Sequence, residues 1–377
     1  MDLNRKMELA WVIQMGITKH LMSIWPGFTP TPFILYDADN QVAVGSDWPE
    51  RYRLEKDNMW IAEGIDPILM GNTAIMYHGK YVAIWDTRTW DESTLNESRA
   101  TACIAHEMFH AYQYSCMELP SANELLMPNY PHSPKSVALV IQEGKLLARL
   151  IDKSRRITDN PTTPEEIRNR LATISVLRKL RKEEIGAEHM EYDERIESIE
   201  GTAAYVEVTA KTRLEGISPI EAAESYLTLL TKNDTLLTDY RHRCYASGLI
   251  LSLAADIAFT DWKTEWERSG LTLFQWMEKK LSLDVMSEAT LIVNAYENEK
   301  TRLISEFREQ SLSVVATDNI ELISFDPMNL VFADGFCLHQ QGSVRYGGEE
   351  HLLTQPFLTE CRDNILNIAK LWVPEKL

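Results

Sequence analysis

Apolar residues in the opening stretch MDLNRKMELAWVIQMGITKHLMSIW recur every three or four positions, the mark of an amphipathic helix. After the Pro-rich WPGFTPTP the pattern becomes strand-like. PFILYD and QVAVGS read as strands around Asp39-Asn40, and TAIMYH and YVAIWD as a second hairpin around His78-Gly79-Lys80. Thr94-Leu95-Asn96-Glu97 fits a capping box that opens a helix through ESRATACIAHEMFHAYQYSC. Residues 119–134, with four prolines, read as a loop. Ser133-Pro134, Thr163-Pro164 and Ser218-Pro219 each place a capping hydroxyl before a proline at the first helical position. Helices are predicted near 134–157, 164–185, 188–214, 219–231, 236–260, 271–281 and 285–311. The chain then changes character. LSVVAT, IELISF, NLVFAD and SVRYGG are β-branched and aromatic, separated by Asp, Asn and Gly, and a terminal helix is expected near 357–371.

The elements predict an α+β, mostly helical protein in three parts. Residues 1–118 form an N-terminal α/β part, 119–311 a helical lobe, and 312–377 a C-terminal β segment with the terminal helix. A chain of 377 residues buries a full core without disulfide or metal staples. Its 56 Asp and Glu against 38 Lys and Arg give a formal charge of -18, which argues against nucleic acid as the main partner. Gln14, Thr18, Lys19 and His20 break any secretory apolar core. The longest apolar stretch elsewhere, 249–259, contains Asp256 and falls short of the roughly 20 residues a membrane span needs. The five cysteines are scattered, with no CxxC pair. The expectation is a soluble, cytoplasmic, thiol-reduced protein with neither nucleic-acid nor membrane partners.

The sharpest chemical signal is His106-Glu107-Met108-Phe109-His110 on the helix before residue 116. Two histidines four apart lie about 40° apart around a helix, so both imidazoles reach one metal ion. Glu107 is then placed to accept a proton from water. Nine histidines in 377 residues make chance occurrence of the pattern on the order of 0.02 per chain. A catalytic zinc needs a third ligand and an open position for water. No third histidine follows closely, so a carboxylate is expected to serve. The leading candidate is Glu200, in EGTAAYVE, where small neighbours allow close helix approach. Glu197, Glu200, Ala204 and Glu207 share one stripe at helical spacing. Such a stripe also suits a solvated charged face. Glu143 and Glu197 are competing ligands.

EGTAAYVE after HEMFH, followed by Tyr245-Ala246-Ser247-Gly248 running into LILSLAAD, resembles the gluzincin zinc metallopeptidases, especially their aminopeptidase family. That resemblance implies a zincin-like catalytic core, with His106, His110 and Glu200 as Zn2+ ligands, Glu107 as base and Tyr245 as oxyanion stabiliser. His242 is a weaker candidate for the donor role, and Arg241 and Arg243 are candidates for a substrate carboxylate or for pairing with acids. The resemblance covers about 150 residues around the site; 89 residues separate His110 from Glu200, longer than the family's spacing. The family's G-x-M-E-N segment, which reads a substrate's free amino terminus, is absent. The expected function is therefore a zinc-dependent peptidase acting on peptide or protein substrates, with an endopeptidase favoured over an aminopeptidase. YVAIWD is expected to serve as an edge strand for substrate, and Glu197 and Glu207 are the suspects if a free amine is read. A non-catalytic zinc-containing binding protein is the reading from a different class. His132, His189, His339 and His351 are read as structural.

Overall fold

Asp2 caps the first helix by accepting from the Arg5 N–H, and α1 (Leu3–His20) buries Leu9, Ile13 and Ile17 along one stripe. This and the other elements come from a computed structural model. It describes the chain apart from residues 92, 94, 120, 152–162, 233–238, 282–284, 310–311, 318, 327–329, 363–364 and 375–377, and apart from the side chains of 285–296. The architecture is mixed α/β, with twelve α-helices and three sheets among the described residues. Contacts divide it into two units, Met1–Leu283 and Asp284–Leu377, where the sequence suggested three parts. The boundary expected at 118 runs through one continuous core, in which Leu9 and Phe109 pack together with Tyr205 and Trp262.

In the first unit, β1 (Phe33–Tyr36), β2 (Asn40–Val44), β3 (Arg53–Lys56), β4 (Met59–Glu63), β5 (Thr73–Tyr77) and β6 (Lys80–Asp86) form one sheet in the order β3-β4-β2-β1-β6-β5. All neighbours are antiparallel except β1 and β6. RLEK, the exposed strand β3, carries no apolar alternation and gave no strand signal. Side chains alternate across the sheet: Phe33, Leu35 and Ala83 join the helical core, while Ile34, Tyr36, Val82 and Ile84 pack with Trp48 and Tyr52 on the other face. YVAIWD is not an edge. As β6 it is hydrogen-bonded to β1 on one side and β5 on the other, because the chain returns to pair with β1 after the β3–β4 excursion. The free edge on this side of the sheet is β5.

α2 (Glu97–Cys116) spans the predicted segment and is capped by Asn96, whose side chain accepts from the Arg99 N–H. Thr94 of the expected capping box lies outside the described residues. The 119–134 loop contains a short 3-10 turn, Glu124–Asn129. α3 (Pro134–Leu150), α4 (Pro164–Ile185) and α5 (Ala187–Ile196) follow, then a π-helical turn (Glu197–Gly201) and α6 (Thr202–Glu215). The expected 219–231 helix is split into α7 (Pro219–Ala222) and α8 (Glu224–Thr231), and α9 (Tyr240–Ala258), α10 (Trp262–Glu267) and α11 (Leu273–Leu281) complete the unit.

The second unit begins with α12 (Val285–Arg308). Its strands are β7 (Leu312–Ala316), β8 (Glu321–Phe325), β9 (Val331–Ala333), β10 (Phe336–His339), β11 (Gly342–Tyr346), β12 (Glu349–Leu353), β13 (Phe357–Cys361) and β14 (Ile368–Pro374), arranged as a five-stranded and a three-stranded sheet. The helix expected at 357–371 is instead an antiparallel pair, β13 with β14, each also paired to a further strand. Sheet partners on both sides override the short helical periodicity there. No helix among the described residues is long and apolar enough to cross a membrane.

Candidate metal centre

α2 packs between the sheet and α6, which buries His106, Glu107 and His110 together. The two imidazole rings are 4.8 Å apart, and both Nε2 atoms face Glu200 Oε2, at 3.5 Å from His106 and 3.1 Å from His110. One ligand atom from each of the three residues lies within 4.8 Å of the others.

The opposite ring nitrogens are held from behind. His106 Nδ1 is 3.0 Å from Glu207 Oε2, which also accepts from the Tyr226 hydroxyl at 2.9 Å. His110 Nδ1 is 2.7 Å from Gln113 Oε1, and the Gln113 amide donates to the Ile199 carbonyl and the Thr202 hydroxyl. These acceptors sit behind the Nδ1 atoms and fix the rings so that both Nε2 atoms are directed at Glu200. Two imidazoles and one carboxylate suit a borderline divalent ion such as zinc, so the residues fit the expected metal.

Glu200 occupies the π-helical turn, a local widening often found at functional sites. Next to it, Gly201 lies directly on Gly248 of α9, and a Cβ on either glycine would run into the other's backbone. This crossing brings α9 close enough for Tyr245, one turn before Gly248, to stack at 6.2 Å from the His106 ring. Tyr245 sits in the second turn of α9. Arg241, a turn earlier, reaches Glu200 Oε1 at 3.2 Å and Glu124 Oε1 at 2.9 Å, and donates to the Tyr245 hydroxyl. Arg243 instead donates to the carbonyls of Val140 and Leu230, and exposed His242 pairs with Asp239.

Burial raises the Glu107 carboxyl above its usual range, against the pull of the two imidazoles, and among the described residues no Arg or Lys pairs with it. Burial acts the same way on Glu200, but hydrogen bonds from His106 and His110 win and hold it well below. Burial opposes protonation of His106; Glu200 and Glu207 overcome it and keep its pKa well above the ordinary value. The Tyr245 phenol is pushed up by burial, then by the Glu200 charge.

The rival acids are elsewhere. Glu143 accepts from Arg178 Nε at 2.8 Å and pairs with Arg181, and Glu197 receives both Arg178 terminal nitrogens at 2.7 and 2.6 Å. Arg181 also pairs with Asp193, on which the Tyr130 and Tyr240 hydroxyls converge. Glu207 is likewise engaged, by His106 and Tyr226. Sequence reasoning placed Glu207 on the right stripe and offered Arg241 as a partner for acids without naming Glu200, but missed Gln113 and Tyr226. Gln113 carried a faint signal, standing three residues after His110 on the same helix.

His339 is buried between Thr359 and the Phe357 ring, His351 stacks on Tyr346, and His189 bonds the Ile185 carbonyl. His132 lies beside the Tyr130 ring. All five cysteines are unpaired. Compared with family models, with curated proteins and with solved structures, the chain matches none.

Proposed function

We propose that the protein is a zinc-dependent metallopeptidase of gluzincin type, built on a zincin-like core. The observation that carries this reading is the convergence of His106 Nε2, His110 Nε2 and Glu200 Oε2. Buried Glu107 beside them, with no Arg or Lys among the described residues paired to it, supports a catalytic site rather than a purely structural one. His106, His110 and Glu200 would hold the ion. When bound there, zinc supplies a Lewis acid that acidifies water and polarises a carbonyl. Glu107 accepts a proton from the attacking water and returns it to the leaving amine, a role its raised pKa favours. The Tyr245 hydroxyl, kept protonated by burial, donates to the oxygen that gains negative charge. Arg241 holds Glu200 Oε1 and leaves Oε2 directed at the histidines.

The free edge of β5 supports an extended peptide substrate, added as a further strand, and that favours cleavage of internal bonds. Glu197 and Glu207 are committed to Arg178 and His106, which also weighs against an amine-binding role for either. The test is a mass-spectrometric peptide-library digest with zinc-loaded wild type and Glu107→Gln. Wild type should cleave; the variant should keep about one zinc per chain and lose cleavage. Amino-terminal acetylation of a cleaved peptide should not slow its hydrolysis. Zinc retention with no cleavage of any peptide would favour a zinc-containing binding protein.

A further inference from the structure

One turn past His110, α2 presents Tyr114, which is 48% exposed. Its ring stacks on His110 at 6.1 Å and 17°, and lies 5.6 Å from Tyr81 of β6. Tyr81 stands opposite Met76 of the edge strand β5, so both side chains project from the same face of the sheet. Ala83, two residues on from Tyr81, packs into the α2 core, so this is the face turned to α2. Met76 is 50% exposed. Single exposed apolar residues are ordinary. Here, however, Tyr114, Tyr81 and Met76 form an unbroken line from a metal-ligand imidazole to the edge of the sheet, and none of the three carries a charge.

Resting on the peptidase reading above, we propose that this shelf is a specificity subsite for a large apolar or aromatic side chain of an extended peptide aligned on β5. Strand addition by itself is blind to sequence, because it uses backbone groups; selectivity comes from the surfaces that meet alternate side chains. The Tyr114 ring offers a flat stacking face and the Met76 thioether an adaptable one. A charged side chain laid there loses hydration and meets no opposite charge from these three residues.

The test uses zinc-loaded wild-type protein and N-acetyl-amino-acid hydroxamates that differ only in side chain (Gly, Phe, Lys and Glu), with acetohydroxamate as the bare metal-binding head and calorimetry as the readout. The Phe compound should bind at least about tenfold tighter than the Gly or Glu compound. Tyr114→Ala should bring the Phe-to-Gly ratio below about threefold, while Tyr114→Phe keeps it and Met76→Ser lowers it partly. The ratio cancels any change at the metal itself, and Tyr114→Phe and Met76→Ser keep the proposal open to failure if the alanine variant does not fold. A protein that takes up zinc and binds acetohydroxamate but shows a flat series overturns the shelf alone. A full preference retained in the alanine variant does the same. A protein that binds neither zinc nor acetohydroxamate overturns the shelf and the peptidase reading together.

Discussion

Glu197 and Glu200 stand three residues apart in one π-helical turn, yet they are held by opposite kinds of partner. Glu197 faces Arg178 and the Ser247 hydroxyl, in a network that continues through Glu143 and Arg181 to Asp193. Glu200 faces two imidazoles and the tip of Arg241. A guanidinium is charged at every physiological pH, so Arg178 and Arg181 hold Glu143, Glu197 and Asp193 with fixed positive charge and close the network. An imidazole is charged only when it holds an extra proton. When both histidines are neutral, Glu107, Glu200 and Glu207 leave excess negative charge around the lone pairs of His106 and His110, the setting in which His106, His110 and Glu200 could hold a metal ion. What separates the two acids here is how much of each is held by permanent charge: Arg178 takes both Glu197 oxygens, whereas Arg241 takes only Oε1 of Glu200 and leaves Oε2 to the imidazoles.

The largest effect should come from breaking the closed network. Arg178→Met leaves Glu143 and Glu197 buried without their shared partner, and should cost about 3–5 kcal/mol of stability. Denaturant unfolding measures it. A loss below about 1 kcal/mol would show the network to be dispensable and remove one side of the comparison.

Next comes the exchange of roles between acids. Glu200→Ala should weaken zinc binding by more than the roughly 10–100-fold typical of an outer partner, while Glu143→Ala should leave zinc affinity near wild type and lower stability. Chelator competition paired with unfolding of both variants decides it. The reverse ranking for zinc would make Glu143 the ligand.

That assignment is also where sequence reasoning reached its limit. HEMFH, EGTAAYVE and YASG were legible as local patterns, because helical spacing alone sets which of their residues share a face. The small neighbours of Glu200 favoured it over Glu143 and Glu197, but what occupies the other two acids was not legible, since Arg178 and Arg181 come from α4, and nothing in the local pattern of that helix says which acids it will meet. The same holds for the strands. β1, β2, β5 and β6 announced themselves, but the position of β6 inside the sheet depends on its parallel pairing with β1 across the β3–β4 excursion. At 357–371 a short helical period lost to pairing with β10 and β7, partners 18 and more residues away.

A smaller effect is expected behind the histidines. Glu207→Gln keeps an acceptor for the His106 Nδ1 proton but removes its charge, and Gln113→Ala removes the acceptor on His110. Either should reduce zinc affinity by roughly 10–100-fold, without the stability loss of the Arg178 variant. If both variants bound zinc like wild type, the rings would be oriented by packing alone.

The smallest effect separates the two sites by pH. Burial would raise the Glu143 carboxyl, but Arg178, Arg181 and Arg243 outweigh it and hold its pKa below the ordinary 4.5. A carboxylate depressed in the fold contributes stability that is fully present above its unfolded pKa and is lost as pH falls through the folded one. The wild-type advantage over Glu143→Gln should therefore be flat from pH 7 down to about 4.5 and shrink only below it. Within the same network Asp193 shifts the other way, raised by burial against the pull of Arg181, so acid relieves part of its cost while weakening Glu143. The two tendencies offset in the wild-type profile, which is why the difference between wild type and variant is the quantity to follow. Zinc occupancy should respond earlier, because His106, whose pKa, against burial, Glu200 and Glu207 keep well above the ordinary value, must shed its extra proton to bind the ion. Zinc release at a higher pH than the first loss of the Glu143 advantage is the expected order. The opposite order would mean that the arginine-held acids titrate before the histidine-held site, and the distinction drawn between Glu197 and Glu200 would fail.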